Sequence, residues 1–393
     1  MSDSIKHVLY LVPEVTFGTT PNTPTMERVR NTSCSLGLTK EGKESEEADP
    51  SRMVTDYRHG NRQVGGEIGV EFSYGSFDQL LLGALCASAW ALKANVAAST
   101  ISAASGDSSF NGTGFPYLHT GDVITVGGFS APATANNRRF KVASATSTKI
   151  AVTNVDGTAV TVVTKTIGDP VTIVSDASII NAGNTRKSYS FLRHFTDQGT
   201  GDKPYHLFNG CMVNTMSLSV TPGANVTGGF GLLGKGMSLS DTAPAGSTLG
   251  QPSTTRVFDA FTGSLTEGGV ANAYVTEVQL KVENSLEAQF VLFNKETLEP
   301  SMGKFRLTGT LGVHFRNAAM LEKFLNETSS SLVFDLTDLG GNTYRFRVPR
   351  LTLNGGQPDT SAQGTILLSM PFMAIMDAAS GTAFSVERIP AQA

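Results

Sequence analysis

The sequence predicts a mainly β protein made of two tandem copies of one unit, with a small all-β module inserted into the first copy. Three observations carry that reading. A strand–turn–helix pattern occurs twice. The region between its halves, 95–185, alternates apolar and polar residues in short runs divided by turns. Composition favours strands and turns over helix bundles, with 41 glycines, only 16% charged residues and Ser and Thr throughout.

The pattern starts at Gly66–Phe72. Ile68, Val70 and Phe72 fall on one face there, and Glu67, Gly69 and Glu71 on the other, the alternation of a half-buried strand. Ser76–Leu85 follows as an amphipathic helix. Ser76 is placed to cap it, Asp78 stands in the first turn, and Phe77, Leu80, Leu81, Ala84 and Leu85 recur at helical spacing. Near the C-terminus Leu311, Val313 and Phe315 take the strand positions, and Ala318–Leu325 takes the helix. The flanks agree. A strand at Thr32–Thr39 precedes the first pattern and one at Thr276–Glu283 the second. Tyr189–Asp197 and Tyr205–Phe208 follow the first helix, Leu332–Asp338 and Tyr344–Arg347 the second. Two further strands close each half: Met212–Val220 with Val226–Leu233, and Arg350–Leu353 with Thr365–Ile375. Five matching elements in one order indicate internal duplication.

The remaining segments divide the chain. Residues 1–30 read as an extended N-terminal arm with little core of its own. Residues 31–94 and 186–236 make a discontinuous first domain, and residues 257–393 the second. Residues 237–256 are a Ser/Thr/Pro/Gly linker between them. Within 95–185, strands are expected at Asp122–Val126, Arg139–Ala143, Lys149–Thr153, Val160–Val163 and Val171–Val174; such an insertion sits where chain ends are close and exposed. Residues 40–63 form a long polar loop, acidic first (Glu41, Glu44, Glu46, Glu47) and then basic (Arg52, Arg58, Arg62). Loops of that length in compact domains are often functional, and complementary charges on two copies suit open head-to-tail stacking.

Several function classes lack support. Net charge is −4 and the isoelectric point about 5.9, so no basic footprint for tight nucleic-acid binding exists. Cys34, Cys86 and Cys211 have no metal-like or disulfide-framework spacing, and they read as free thiols. The N-terminus lacks the basic and apolar regions of a signal peptide, and no apolar run reaches membrane-spanning length. The six histidines (His7, His59, His119, His194, His206, His314) show no ligand spacing. Gly228–Gly231 and Gly234–Gly236 lack the following helix that a phosphate cradle needs, and read as a hairpin end. No catalytic constellation, cofactor or metal is expected, and the chain reads as no enzyme.

The element order and the block YSFLRHFTD…YHLFNGCMVNTMSLSVTPGANVTGGFGLLGKG, from Tyr189 to Gly236, resemble the major tail tube proteins of long, non-contractile-tailed bacteriophages. The resemblance covers most of the chain outside 95–185. It implies a fold of two packed antiparallel sheets with a flanking helix, a β-sandwich or barrel; the family usually carries one such domain per chain, and with the internal repeat this chain would hold two tail-tube-type domains in tandem. It implies rings joined sheet edge to sheet edge around a lumen, three duplicated chains giving a pseudo-hexameric trimer, with a homohexamer as the alternative. Lys40–Arg62 would be the first copy's stacking arm and Leu286–Gly303 its shorter counterpart. Lumen-facing candidates are Glu67 and Glu71 in the first copy and Thr308, Thr310 and His314 in the second. The implied partners are other copies of the chain, the tape measure, tail terminator and distal tail proteins, and double-stranded DNA passing without specific binding. The implied location is the virion tail, after synthesis in the host bacterial cytoplasm. The insert resembles an outer decoration domain. The competing expectation is a monomeric surface or adhesion β-protein with a carbohydrate-binding insert.

Overall fold

A computed structural model describes residues 3–116, 118–272, 274–359 and 365–391. The chain divides into two compact units: one of residues 1–88, 181–340 and 346–385, the other of residues 89–180, 341–345 and 386–393.

In the larger unit the elements are β1 (His7–Pro13), β2 (Thr25–Val29), β3 (Ser33–Cys34), β4 (Gly37–Glu44), β5 (Tyr57–Glu71) and α1 (Asp78–Ala84). After the insertion come β6 (Tyr189–Phe195), β7 (Tyr205–Val220) and β8 (Thr227–Gly234). The second half supplies β9 (Val275–Glu283), β10 (Arg306–His314), α2 (Ala319–Leu325), β11 (Ser330–Thr337), β12 (Thr343–Leu353, of which residues 343–345 count with the smaller unit), β13 (Pro358–Asp359) and β14 (Leu367–Ala374).

One antiparallel ladder runs through both halves. Its order is β3/β4, β5, β8, β7, β9, β10, β14, and then β12 with β13. Alternation along each strand sends one face inward: Ile68, Val70, Phe230, Met216, Leu280 and Leu311 are buried. Phe72, Phe77 and Phe230 meet beneath the first half, with ring centroids 5.6 to 6.1 Å apart. Phe334 and Phe346 stack at 5.1 Å in the second half.

A second sheet orders β2, β1, β6, the start of β7 and Gly236–Ser240. The long β7 serves both sheets, turning at Gly210, whose φ of +64° is one that a side chain resists. The first thirty residues therefore do not stand apart as an arm. Leu9, Leu11 and Val12 of β1 are buried, and β1 pairs with β6 along its whole length, because its near-continuous apolar run can be covered on both faces.

Other expectations are corrected. The first helix starts at Asp78 with Phe77 in the capping position; the Ser76 hydroxyl bonds instead to Ser73 and Ser253. Residues 40–63 are two limbs of a β-hairpin rather than a loop, linked by residues 45–56. The linker 237–256 contributes strand to Gly236–Ser240 and pairs Thr248–Leu249 in parallel with β2. Gly228, Gly229 and Gly231 lie inside β8, on the strand expected at Val226–Leu233.

The smaller unit holds a seven-stranded sheet ordered Asn95–Ala98, Val171–Ser175, Val123–Gly127, Arg139–Ala145, Lys149–Thr153, Ser109–Asn111, Ser102–Ala104. Phe110, Phe129, Phe140, Ile124, Ile150 and Ile173 build its core. Val160–Val163 is not a strand: Val162 is buried, but the Val163 amide donates to the Asn136 side chain rather than to a ladder.

Candidate assembly surfaces

The ladder's other face is polar, and it crosses from one half of the larger unit to the other. Register makes Glu67, Gly231, Thr215, Glu283 and Arg306 successive cross-strand neighbours. Two rows along the same face lie Glu71, Thr227, Ser219, Gln279, Thr310 and Pro371. Thr308 stands opposite Lys281 in a third row. Four of the five lumen candidates thus share one face of one sheet. His314 follows the same alternation at the end of β10, opposite Leu367. On this face Glu67, Glu71, Glu277 and Glu283 outnumber Lys281 and Arg306, and the Lys281 ammonium is held 2.6 Å from Glu283. The face forms a shallow concavity of about 770 Å³ lined by Glu67, Ser217, Gln279, Lys281 and Thr308 among others.

The two halves meet at a backbone seam. Thr215 to Val220 of β7 pair with Glu283 to Val278 of β9 in unbroken register. Asn284, just past β9, is buried; its side-chain amide donates to the carbonyl oxygens of Ala84, at the end of α1, and of Val213 in β7, at 3.0 and 2.9 Å. A residue of the second half therefore satisfies the helix end of the first.

The hairpin β4–β5 leaves the ladder. Only Val64–Glu71 of β5 pair with β8, whereas the first half of β5 pairs with β4 alone. A strand of fifteen residues spans roughly 50 Å, so a two-stranded limb projects past the sheet. Glu41, Glu44, Glu46, Glu47, Arg52 and Arg58 are exposed on it, and Arg62 at its base is half-buried. Its internal charge pattern is unfavourable: Lys40 faces Arg62 and Lys43 faces Arg58. Arg58 pairs with Asp56 at 2.8 Å and Arg62 pairs with Glu296 of the 284–305 loop, so the basic limb does not use the hairpin's own glutamates. Met53, Val54 and Tyr57 near the tip are exposed apolar side chains.

The larger unit also holds a cluster of ring nitrogens. Arg193 donates to the His7 Nε2 at 3.0 Å, and burial first, then Arg193 and His206, push the His7 pKa down from 6.5 to about 4. Burial also lowers His194 and His206. It pushes the Cys86 thiol up to about 11 and Cys211 well above its usual value, which leaves neither as a ready nucleophile.

The smaller unit contains the one group of ionisable side chains among the described residues whose ligand atoms converge as a metal site requires. His119, Asp122 and Glu387 approach one another within 4.8 Å. The Lys93 ammonium lies among them, 2.7 Å from Asp122 Oδ2, 2.8 Å from Glu387 Oε2 and 2.7 Å from His119 Nδ1. Arg345 lies 3.5 Å from Asp122. Two buried carboxylates are thus matched by two cations, and lysine holds the position a metal ion would take. The arrangement clamps three separate stretches of sequence into one unit. Sequence reasoning missed it because Lys93 and Glu387 are 294 positions apart; the Asp122 that follows His119 by three was the one local signal.

A ladder with a polar concave face, a limb projecting from it and a backbone seam between two halves is the architecture of a structural β-protein. Residues 4–374 match the phage tail tube protein family, and the chain belongs to it. It is accordingly a structural protein of the bacteriophage virion, located in the tail, and the family assembles into a tube with other tail proteins. No curated protein matches the sequence. Among the described residues, no helix is long and apolar enough to cross a membrane.

Proposed function

We propose that this chain carries two tail-tube domains, residues 31–94 with 186–236 and residues 257–393, and that three chains close one ring of the tube. The seam between β7 and β9 is the observation that carries the reading. In element order β9 is to β10 what β3/β4 is to β5, and β7 is to β8 what β12 with β13 is to β14. Repeating the internal seam therefore joins β12/β13 of one chain to β3/β4 of the next. Edge strands that would invite aggregation in a lone subunit become the closure surface. Three ladders, six halves in all, then line one lumen.

In this reading Glu67, Glu71, Thr308, Thr310 and His314 face the lumen. A face with more carboxylates than cations carries double-stranded DNA without gripping it, because each Lys or Arg contact to phosphate adds affinity. The hairpin with Glu41, Glu44, Glu46, Glu47, Arg52, Arg58 and Arg62 docks on the neighbouring ring, where acidic groups would relieve its facing cations. The tube sets its length with the tape measure, terminator and distal tail proteins, is made in the host cytoplasm and conducts DNA at infection. The inserted module 95–185 decorates the outer wall. Averaged end-on electron micrographs of purified tubes test this. Three outer knobs per ring are expected. Six knobs would overturn the duplication, and a protein that stays monomeric even with the tail tip complex present would overturn the tube.

A further inference from the structure

The charged cluster of the smaller unit brings an amine against a carboxyl group away from bulk water. No more than 3% of the Lys93, Asp122 or Glu387 side chain is exposed, and Ala94 and Val123, the next residues along the chain, are buried too. The Lys93 ammonium has an acceptor for each of its three protons: Asp122 Oδ2 at 2.7 Å, Glu387 Oε2 at 2.8 Å and His119 Nδ1 at 2.7 Å. The Asp122 carboxyl is also held by other donors. The His119 backbone amide donates to Oδ2 at 2.7 Å, and the Arg345 guanidinium lies 3.5 Å from Oδ1. A nitrogen at hydrogen-bond distance from a carboxylate oxygen stands close to the roughly 3–3.5 Å from the carboxyl carbon that marks a near-attack arrangement.

Burial changes which state is favoured. In water an ammonium and a carboxylate are preferred to the amide because both ions are solvated. Away from water that solvation is lost, and desolvating an ion pair can cost more than its attraction returns. A neutral amide in the same place carries no such penalty. Arg345 would then be left to match Glu387, whose Oε2 is 3.7 Å away. The two residues also stand where a bond would hold something. Lys93 leads into Asn95–Ala98, the edge strand of the seven-stranded sheet, and Asp122 leads into Val123–Gly127, with Val171–Ser175 lying between the two strands.

We propose that Lys93 and Asp122 join in an intramolecular isopeptide bond. His119 Nδ1 takes a proton from the ammonium and frees the nitrogen lone pair. The Nζ–Cγ bond forms while the His119 amide and Arg345 stabilise the charge that gathers on the carboxyl oxygens. That first proton and a second from the nitrogen pass through His119 and Glu387 to one Asp122 oxygen. Its bond to Cγ breaks, and it leaves as water. Ammonium and carboxylate thus become an amide and one water. Two of the three ammonium protons depart with the oxygen, and the third remains as the amide N–H. No oxidant, nucleotide or metal is needed. The bond staples the edge strand across its neighbour, and it stands independently of the tube reading.

Intact-mass spectrometry of the denatured full-length wild-type chain tests the proposal. The expected mass is one water below that calculated for the sequence. Chymotrypsin, which cuts at Phe110 and Phe115, should release two peptides still joined through Lys93 and Asp122. Glu387→Gln keeps both bonding partners but cannot relay protons, so that variant should lose its water about a hundredfold more slowly. A wild-type chain that holds the full sequence mass after days in neutral buffer overturns the bond. A cross-link mapped from Lys93 to Glu387 overturns the choice of Asp122, and a Glu387→Gln chain that loses water at the wild-type rate overturns the relay. Because the deciding measurement is made on the wild-type chain, a variant that fails to fold leaves it intact.

Discussion

The two short helices of the larger unit have equal length and equivalent places in the element order, yet they differ in what covers them. In α1, five of seven residues are buried, Leu80 to Ala84. In α2, of the same length, Met320 alone is buried and Leu325 is 68% exposed. Part of the difference is written in the residues: Leu80-Leu81-Leu82 against Leu321-Glu322-Lys323. Gly83 adds to it, since a side chain there would collide with Tyr189 and Val213 at 2.9 Å, so α1 lies as close to β6 and β7 as a helix can. The rest is position. The first helix ends on Asn284 of the second half, whose side-chain amide donates to the Ala84 carbonyl. The second half thus completes the helix end of the first, while α2 keeps most of its surface exposed.

Four measurements test that contrast. Leu80→Ala should cost the isolated chain about 2–5 kcal/mol, the range for deleting a buried leucine side chain. A smaller loss, read by denaturant unfolding, would mean that α1 is loosely held. Asn284→Ala leaves the Ala84 and Val213 carbonyls without their donor and should cost about 1–3 kcal/mol in the same assay; no change would deny that the second half completes the first. Leu325→Ala should stay within about 0.5 kcal/mol in the lone chain, as surface changes do. Leu325→Asp should nevertheless raise the concentration at which rings form. Ring formation unaffected by that charge would show that α2 stays bare in the tube.

The smallest effect is a pH dependence in the first half alone. The folded chain holds His7 neutral down to about 4, whereas the unfolded chain takes up the proton near 6.5. This contribution is complete above pH 6.5 and is lost as pH falls from 6.5 towards 4. Melting temperature should decline across that window, and His7→Gln should flatten the decline; an unchanged slope would assign the acid sensitivity to other groups.

Much of the ladder was legible because its strands alternate cleanly. Ile68, Val70 and Phe72, and Leu311 and Val313, face inward as their spacing requires, except that Phe315 falls just past the end of β10. The hairpin limbs were not legible. Lys40, Glu41, Lys43 and Glu44 have weak strand preference, and only pairing with β5 makes them extended. The helix start was missed because Ser76 found other hydroxyls instead of the α1 amides. The buried cluster of Lys93, Asp122 and Glu387 could not be read, since its members come from distant parts of the chain. The candidate lumen face was readable one strand at a time; that its strands from both halves join in one sheet depended on the seam of β7 with β9.

In the proposed tube, one chain supplies two sixths of a ring. Native mass spectrometry of the smallest closed assembly tests it most directly. The expected mass is about three times that of the 41.4 kDa chain. A closed ring of six chains would contradict it, because the internal seam would then not be the unit that repeats.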